Sequence, residues 1–285
     1  MCRLYILLFS ALLLSACANR PRQLQIEVLN SYTPVKDQGD SQTCWAYAML
    51  AAIETEHIMR GDSIHLSVAY VERTMRRDRQ MPPKGRAIGM TLINMIQRYG
   101  IVPYGAMPDN DPDLPLPRYA FMDGCRYTPQ EFAHSVCAPG EWIGLCCNED
   151  SAYYKECLFD VPDNWEHNRL LNIPADSLLL LTERAVRQGH GVCWEGDISE
   201  RGFLSKEGLA VTSLFNGSTT DDHCMAIVGL ARDETGQLYF ILKNSWGETP
   251  PYGGLIYMSS DYFRKKTLAI YLVLKHQQGW HLAKF

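Results

Sequence analysis

Apolar residues recur at the spacing of an α-helix in several segments of the chain. The first predicted helix runs from Cys44 to His57, with Gly61 as its stop signal. Further helices are predicted over residues 67–79, with Ser67 as the N-cap, and over 91–99, 129–137 and 178–188. The helix at 129–137 follows the sequence Thr-Pro-Gln-Glu, which is a capping box with proline at the first helical position.

Continuous apolar runs predict buried strands later in the chain. They cover residues 191–197, 222–229, 240–247, 253–258 and 268–273. The strands over 222–229 and 240–247 are separated by a turn at 233–236. If they pair as an antiparallel hairpin, His223 at the start of the first lies beside Asn244 at the end of the second. Residues 103–117 and 205–220 are predicted as loops. The pattern therefore predicts an α+β fold, with a helical lobe over residues 31–165 and a β-rich lobe over 166–285.

The composition is that of an ordinary globular protein. The 285 residues are 46% hydrophobic and 21% charged, which is enough chain for one large or two small domains. The net charge is −5 and the sequence has no block of Lys and Arg. Nucleic acid is therefore not an expected partner, and no cofactor is expected.

The N-terminus resembles a secretion signal. Met1-Cys2-Arg3 precedes a charge-free apolar run, Leu4–Ala16, which is too short to span a bilayer. Its end resembles a bacterial lipobox, which predicts a signal peptide over 1–16, lipidation of Cys17 and a lipid-anchored tether over 17–30. Simple cleavage near Ala16 or Ala18 is the alternative. The prediction is a protein of the bacterial cell envelope, on the periplasmic face or cell surface, that contacts the membrane only through its anchor.

A cysteine-rich segment lies in the middle of the chain and is predicted to be an insertion in the helical lobe. His134 with three of the cysteines is a conceivable zinc site, but the paired C-x2-C knuckles of a strong zinc pattern are missing. Disulfides or buried free thiols are favoured in an exported protein, and no metal is predicted. The cysteines are Cys125, Cys137, Cys146, Cys147 and Cys157.

Cys44 is the candidate nucleophile. A polar loop runs into the first helix there, so its thiol lies on the first turn, where free N–H groups and the helix dipole favour thiolate. Gln38, six residues earlier across a glycine turn, is placed to donate to an oxyanion together with the Cys44 N–H. A nucleophile needs a base, and the base needs a group that orients it, which suggests His223 and Asn244.

Four motifs of the chain, in their order, resemble those of papain-like cysteine peptidases. They are Gln38, Cys44-Trp45, His223 and Asn244-Ser245-Trp246-Gly247. The family has its His and Asn about 130–150 residues after the Cys, and the longer gap here predicts an insertion between the two halves. The closer likeness is to the bleomycin hydrolase/aminopeptidase C branch. Ser41 stands where cathepsin-type members have a disulfide cysteine, and residues 96–103 and 127–132 resemble that branch. The likeness covers roughly residues 32–273.

The resemblance implies a two-lobed fold with the active-site cleft between a helical lobe and a β-rich, barrel-like lobe. It also implies that Asn244 orients the imidazole of His223, and that Trp246 shields their contact from water. The candidate substrate contacts are Gly89, Met90, Asp222 and Trp246. Met90 is equally well explained as core filler. Arg86 interrupts the Gly-Gly pair that is usual in this part of the family.

The implied function is hydrolysis of peptide bonds by a thiolate mechanism, with aminopeptidase-like activity as one form of it. The expected partner is a peptide or protein substrate, and the chain is expected to be a monomer. Two other functions use the same residues or cleft: a catalytically silent, peptide-binding envelope lipoprotein, and a thiol acyltransferase or amidase.

Overall fold

The computed structural model describes residues 23–77, 85–109, 114–211 and 215–273. Six α-helices and two sheets, one of eleven strands, make up this part of the chain, which confirms the α+β prediction. The predicted signal peptide, Cys17 and the C-terminal tail lie outside the described residues. Within the described ranges, no helix is long and apolar enough to cross a membrane.

The helices are α1 (Cys44–Met59), α2 (Val68–Arg77), α3 (Gly89–Tyr99), α4 (Pro129–Val136), α5 (Ala175–Arg187) and α6 (Ser260–Lys266). The strands are β1 (Gln25–Leu29), β2 (Ala120–Met122), β3 (Cys125–Tyr127), β4 (Trp142–Cys146), β5 (Lys155–Leu158), β6 (Arg169–Asn172), β7 (Val192–Gly196), β8 (Phe203–Leu204), β9 (Leu209–Ala210), β10 (His223–Arg232), β11 (Leu238–Lys243), β12 (Leu255–Ser259) and β13 (Thr267–Val273). Short 3-10 helices cover Tyr104–Ala106 and Ser205–Glu207.

Helix α1 is the central helix of the fold. It packs against β7, β10 and α3, and its residues from Trp45 to His57 are buried except Tyr47. This explains why the helix carries apolar residues on all sides and is not amphipathic. It ends at Met59, and Gly61 follows with a φ of 94°, close to the predicted stop.

The large sheet has the order β5-β6-β4-β13-β7-β10-β11-β12-β9-β8, and β1 also pairs with β10. Strands β10 and β11 form the predicted antiparallel hairpin, with Ala226 opposite Lys243. Side chains alternate between the two faces of the sheet. Cys193 and Cys224 belong to the core shared with α1, whereas Trp194 and Met225 belong to the core on the α5 side.

Residues 25–29, at the end of the predicted lipid-anchored tether over 17–30, form β1, which pairs antiparallel with the end of β10. Strand β7 pairs with β10 only as far as Ile227, so the following backbone groups of β10 need another partner. Strand β1 supplies that partner.

The predicted lobe boundary at residue 165 assigns β4 and β5 to the helical lobe, but the structure places both in the large sheet. Strand β13 has one edge free after pairing with β7, and β4 pairs with that edge. Strands β6 and β5 then extend the sheet. The cysteines of this segment are free thiols, with 3.6 Å between the sulfurs of Cys146 and Cys157. The described residues contain no cluster of His, Cys, Asp and Glu suited to a metal.

The other predicted elements agree with the structure to within a few residues. Helix α3 begins at Gly89 rather than at Thr91, and α4 has the predicted capping box between Thr128 and Glu131. The predicted loop over 205–220 contains strand β9. Helix α6 and the small hairpin β2–β3 were not predicted.

Candidate active site

The loop before α1 is held against the segment after β11 by main-chain hydrogen bonds. Gln38 N donates to Ser245 O at 2.8 Å, and Gly247 N donates to Lys36 O at 3.0 Å. Asp37 and Trp246 form a bridge between these bonds. This contact joins two motifs about 200 residues apart in the sequence. It brings the start of α1 to the residues that follow Asn244.

His223 and Asn244 are neighbours, as the hairpin predicts. The distance from His223 Nε2 to Asn244 Oδ1 is 2.7 Å, and both residues are buried. Because an amide oxygen only accepts, Nε2 carries the proton and Nδ1 is left for Cys44. The Trp246 ring lies 4.8 Å from the imidazole, centroid to centroid, and covers it. The Asn244 oxygen is itself oriented by the Ser245 N–H, at 2.8 Å.

Cys44 is the first residue of α1 and is half-buried. A hydrogen bond from Cys224 contributes most to lowering its pKa well below the ordinary value for a thiol. A hydrogen bond from His223 and the charge of that imidazole also lower the pKa, against the opposing effect of burial. These contacts favour a thiolate, the nucleophilic form of cysteine.

Cys224 is therefore a site residue that the sequence motifs did not include. It follows His223 on β10, and its side chain lies in the core shared with α1. Burial raises its own pKa well above the ordinary value, so it remains a thiol and can donate. The sequence carried no local signal for this contact, because strand alternation alone turns the residue after His223 to the opposite face.

The Gln38 side chain is fixed, but not by Cys44. Its Nε2 donates to Ser41 O at 2.7 Å, and its Oε1 accepts from Ser245 Oγ at 2.6 Å. A carboxamide nitrogen carries two N–H bonds, so the bond to Ser41 uses one of them. The oxyanion role of Gln38 therefore stays a prediction that depends on the second N–H.

The predicted substrate contacts lie on two sides of the site. Gly89 is buried at the start of α3, where its N–H donates to Glu195 Oε2 at 3.2 Å. Met90 is half-buried and packs against the core shared with α1, as expected of core filler. Asp222 is half-buried before β10 and accepts a hydrogen bond from Thr220 Oγ1 at 2.7 Å.

Two buried acids near the site were missed from the sequence. Glu195 is completely buried in β7, where burial, and then the charge of Asp221, raise its pKa well above the usual range. Burial and the charge of Asp163 raise the pKa of Asp221 to about 7, although Arg86 opposes this. A glutamate inside the otherwise apolar run Val192–Gly196 was the sequence signal.

No protein-family model matches the chain. The thiol protease SEN102 of Hemerocallis is 28% identical to it over 231 residues. That match covers 79% of this chain and 51% of the relative. The chain therefore spans about half the length of the curated relative that it matches.

Solved structures of cysteine peptidases share the fold. PepW of Lactobacillus rhamnosis HN001 superposes with a TM-score of 0.66 at 16% identity, over 89% of this chain and 82% of that one. Procathepsin L 3 of Tenebrio molitor gives a TM-score of 0.57 at 22% identity, over 87% of this chain and 69% of that one. The proform of the ragweed cysteine protease Amb a 11 gives a TM-score of 0.55 at 19% identity, over 90% of this chain and 61% of that one. The chain therefore has the fold of the papain-like cysteine peptidases.

Proposed function

We propose that the protein is a cysteine peptidase that hydrolyses peptide bonds with Cys44, His223 and Asn244. The observation that carries the proposal is the thiol at the start of α1, whose pKa is lowered, first by its hydrogen bond with Cys224 and then by His223. The 2.7 Å contact between His223 and Asn244 supplies the oriented base that such a thiolate needs.

In the proposed mechanism, the Cys44 thiolate attacks the carbonyl carbon of the scissile bond, and the oxygen takes up the charge. The Cys44 N–H and the second N–H of Gln38 donate to that oxygen. The His223 imidazolium then protonates the leaving amine, and the acyl group remains on sulfur as a thioester. His223 next takes a proton from water, whose oxygen attacks the thioester and releases the acid and the thiolate.

A catalytically silent binding protein is less well supported by the same observations. A buried cysteine that serves packing has a raised pKa, as Cys137 does, because burial disfavours its charged form. Cys44 shows the opposite direction. Maintaining a thiolate beside an oriented imidazole is unnecessary for binding but necessary for nucleophilic attack.

We also propose the finer assignments that the sequence suggested: a place in the bleomycin hydrolase/aminopeptidase C branch, aminopeptidase-like activity, and attachment to the cell envelope through Cys17. Ser41, which stands where cathepsin-type members have a disulfide cysteine, supports the branch. Peptides with free and blocked N-termini would distinguish aminopeptidase from endopeptidase activity. Mass spectrometry of the N-terminal fragment, with Cys17→Ser as the control, would test the lipid anchor.

The first experiment is to treat the purified protein with an epoxysuccinyl inhibitor of thiol peptidases and to map the adduct by mass spectrometry. We expect one adduct, on Cys44, that is absent from Cys44→Ser. Peptide cleavage by the untreated protein completes the test, and acyl transfer to an added amine without hydrolysis would instead indicate a transferase. A folded protein whose Cys44 stays unmodified would overturn the proposal.

The role of Gln38 has its own test. Losing one oxyanion donor costs about 100–1000-fold in kcat. Gln38→Ala should therefore lower kcat by that order while changing KM much less. Ser41→Ala removes a nearby hydroxyl but keeps the backbone carbonyl that Gln38 contacts, and it is the matched control. An unchanged kcat in Gln38→Ala would exclude the oxyanion role.

A further inference from the structure

A cavity of about 750 Å³ opens beside the candidate active site. Asp221, in its wall, lies two residues before His223 in the sequence. Asp221 and Arg86, which both line the cavity, interact electrostatically with the charge of Cys44. A group bound in the cavity would therefore lie close to the nucleophile. The polar and larger apolar residues of the lining include Arg86, Asp160, Asp163, Trp165, Asp221 and Leu268.

The charges in the lining leave an acidic surplus. Arg86 is the one cation among the described lining residues, against three aspartates. Its Nε donates to Asp163 Oδ2 at 2.6 Å, and its NH2 group donates to the backbone oxygen of Asp221 at 2.6 Å. The guanidinium is thus committed to Asp163 and to a carbonyl. It compensates one carboxylate and leaves the carboxyl of Asp221 without an ion-pair partner among the described residues.

One carboxyl oxygen of the cavity wall, Asp221 Oδ2, is buried and has no hydrogen-bond partner among the described residues. The completely buried Glu195 side chain lies within electrostatic reach of Asp221, but it is not among the described residues that line the cavity. Buried polar atoms are rarely left unpaired in folded proteins, so the Asp221 acceptor points to a ligand that donates hydrogen bonds.

We propose that this cavity binds a basic side chain of the peptide substrate, lysine or arginine, with its cationic nitrogen at Asp221. This inference rests on the proposed peptidase function, because a peptide bound across Cys44 is what delivers a side chain to the cavity. The methylene stem of such a side chain would pack on Leu268. The Trp165 ring offers a face for a cation.

Other side chains fit the cavity less well. An acidic side chain would be repelled by the aspartates, and its own oxygens could not donate to the unpartnered Asp221 Oδ2. An apolar side chain would exclude water from the Asp221 carboxyl while leaving it unpaired, which is unfavourable. The arrangement therefore selects for positive charge at one substrate position.

The test is a series of internally quenched peptides cleaved by the full-length protein. Members of the series differ at one residue, which is Lys, norleucine or Glu, at each of three positions on either side of the scissile bond. Norleucine matches the lysine stem without its charge. At one position we expect kcat/KM to be about 10-fold or more higher with Lys than with norleucine, and lowest with Glu.

An isosteric variant locates the preference. Asp221→Asn should reduce the Lys-to-norleucine ratio to less than about 3-fold. Asp176→Asn is the matched control, because Asp176 is an exposed carboxylate on α5 that pairs with Arg264 away from the cavity. It should keep the ratio of the unmodified protein. If Asp221→Asn fails to fold, Leu268→Lys is the second test, because its own ammonium group would occupy the cavity and abolish the preference.

The outcomes separate the two proposals. Cleavage without a preference for Lys at any position would overturn the cavity assignment and leave the peptidase function intact. If no peptide is cleaved, the peptidase function fails, and calorimetric binding of the same peptides to Cys44→Ala decides on the cavity. Equal affinities for the Lys and norleucine peptides would then overturn the cavity assignment as well.

Discussion

Replacing Lys266 by methionine should destabilise the protein strongly. Lys266 ends α6 and is almost completely buried. Its Nζ lies 3.0 Å from Asp197 Oδ2 and 2.5 Å from Glu200 Oε1. It also donates to Asn216 Oδ1 at 3.1 Å and to the backbone oxygen of Ser218. These bonds hold the segment that leads into His223 against α6.

The expected loss follows from the charges that remain in the variant. Burial opposes ionisation of Asp197, but hydrogen bonds from Ser199 and Lys266 lower its pKa to about 2, so it is charged at neutral pH. Methionine fills the volume of the lysine stem but leaves Asp197 and Glu200 buried without their cation. Breaking a buried ion pair in this way costs about 3–5 kcal/mol. With a urea m-value of about 3 kcal/mol/M, the midpoint should fall by about 1–1.7 M.

Urea denaturation followed by circular dichroism measures this change. Arg264→Met is the matched control on the same helix, because the ion pairs of Arg264 with Asp176 and Asp261 are exposed. Exposed pairs contribute about 0–1 kcal/mol, so its midpoint should move little. A loss below about 1 kcal/mol in Lys266→Met would refute the reasoning that this cation stabilises the segment before His223.

Two further predictions concern the site. Cys224→Ala should raise the pKa of the Cys44 thiol, because the hydrogen bond from Cys224 contributes most to lowering it. The pH dependence of alkylation by iodoacetamide measures this, with Cys224→Ser as a control that keeps a donor; an unchanged midpoint would contradict the contact. Gly89→Ala should destabilise the protein by about 1–3 kcal/mol, because its Cβ would lie 2.6 Å from the Tyr271 ring. Urea denaturation measures this loss of stability. Gly105→Ala is the control, because its added Cβ meets open space, and it should destabilise the protein less.

The elements that the sequence predicted correctly carry strong local signals. The capping box predicts helix α4, and a long apolar run after a polar loop predicts α1. The β10–β11 hairpin has two apolar runs and a short turn between them, so its pairing follows from chain proximity. For that reason the contact between His223 and Asn244 was predictable without a structure.

The elements that were missed owe their structure to distant partners. Strand β1 has only a weak alternation of polar and apolar residues, and it forms because β10 offers unpaired backbone groups nearly 200 residues later in the sequence. Strand β4 likewise joins the sheet because β13 has a free edge. The local pattern of polar and apolar residues does not show that a distant strand has an unpaired edge, because that edge depends on how the whole sheet is assembled.

By itself, the sequence determined the helical and strand character of the main elements, the candidate nucleophile, and the base with its orienting amide. Each of these depends on residues close together in the chain or on motifs that can be read directly. Only the tertiary structure decided that Cys224 hydrogen bonds to Cys44, that Glu195 interacts with Asp221, and that Asp221 lines a cavity. Those features arise where separate strands and loops meet, so burial and neighbouring charge, rather than residue type, set their chemistry.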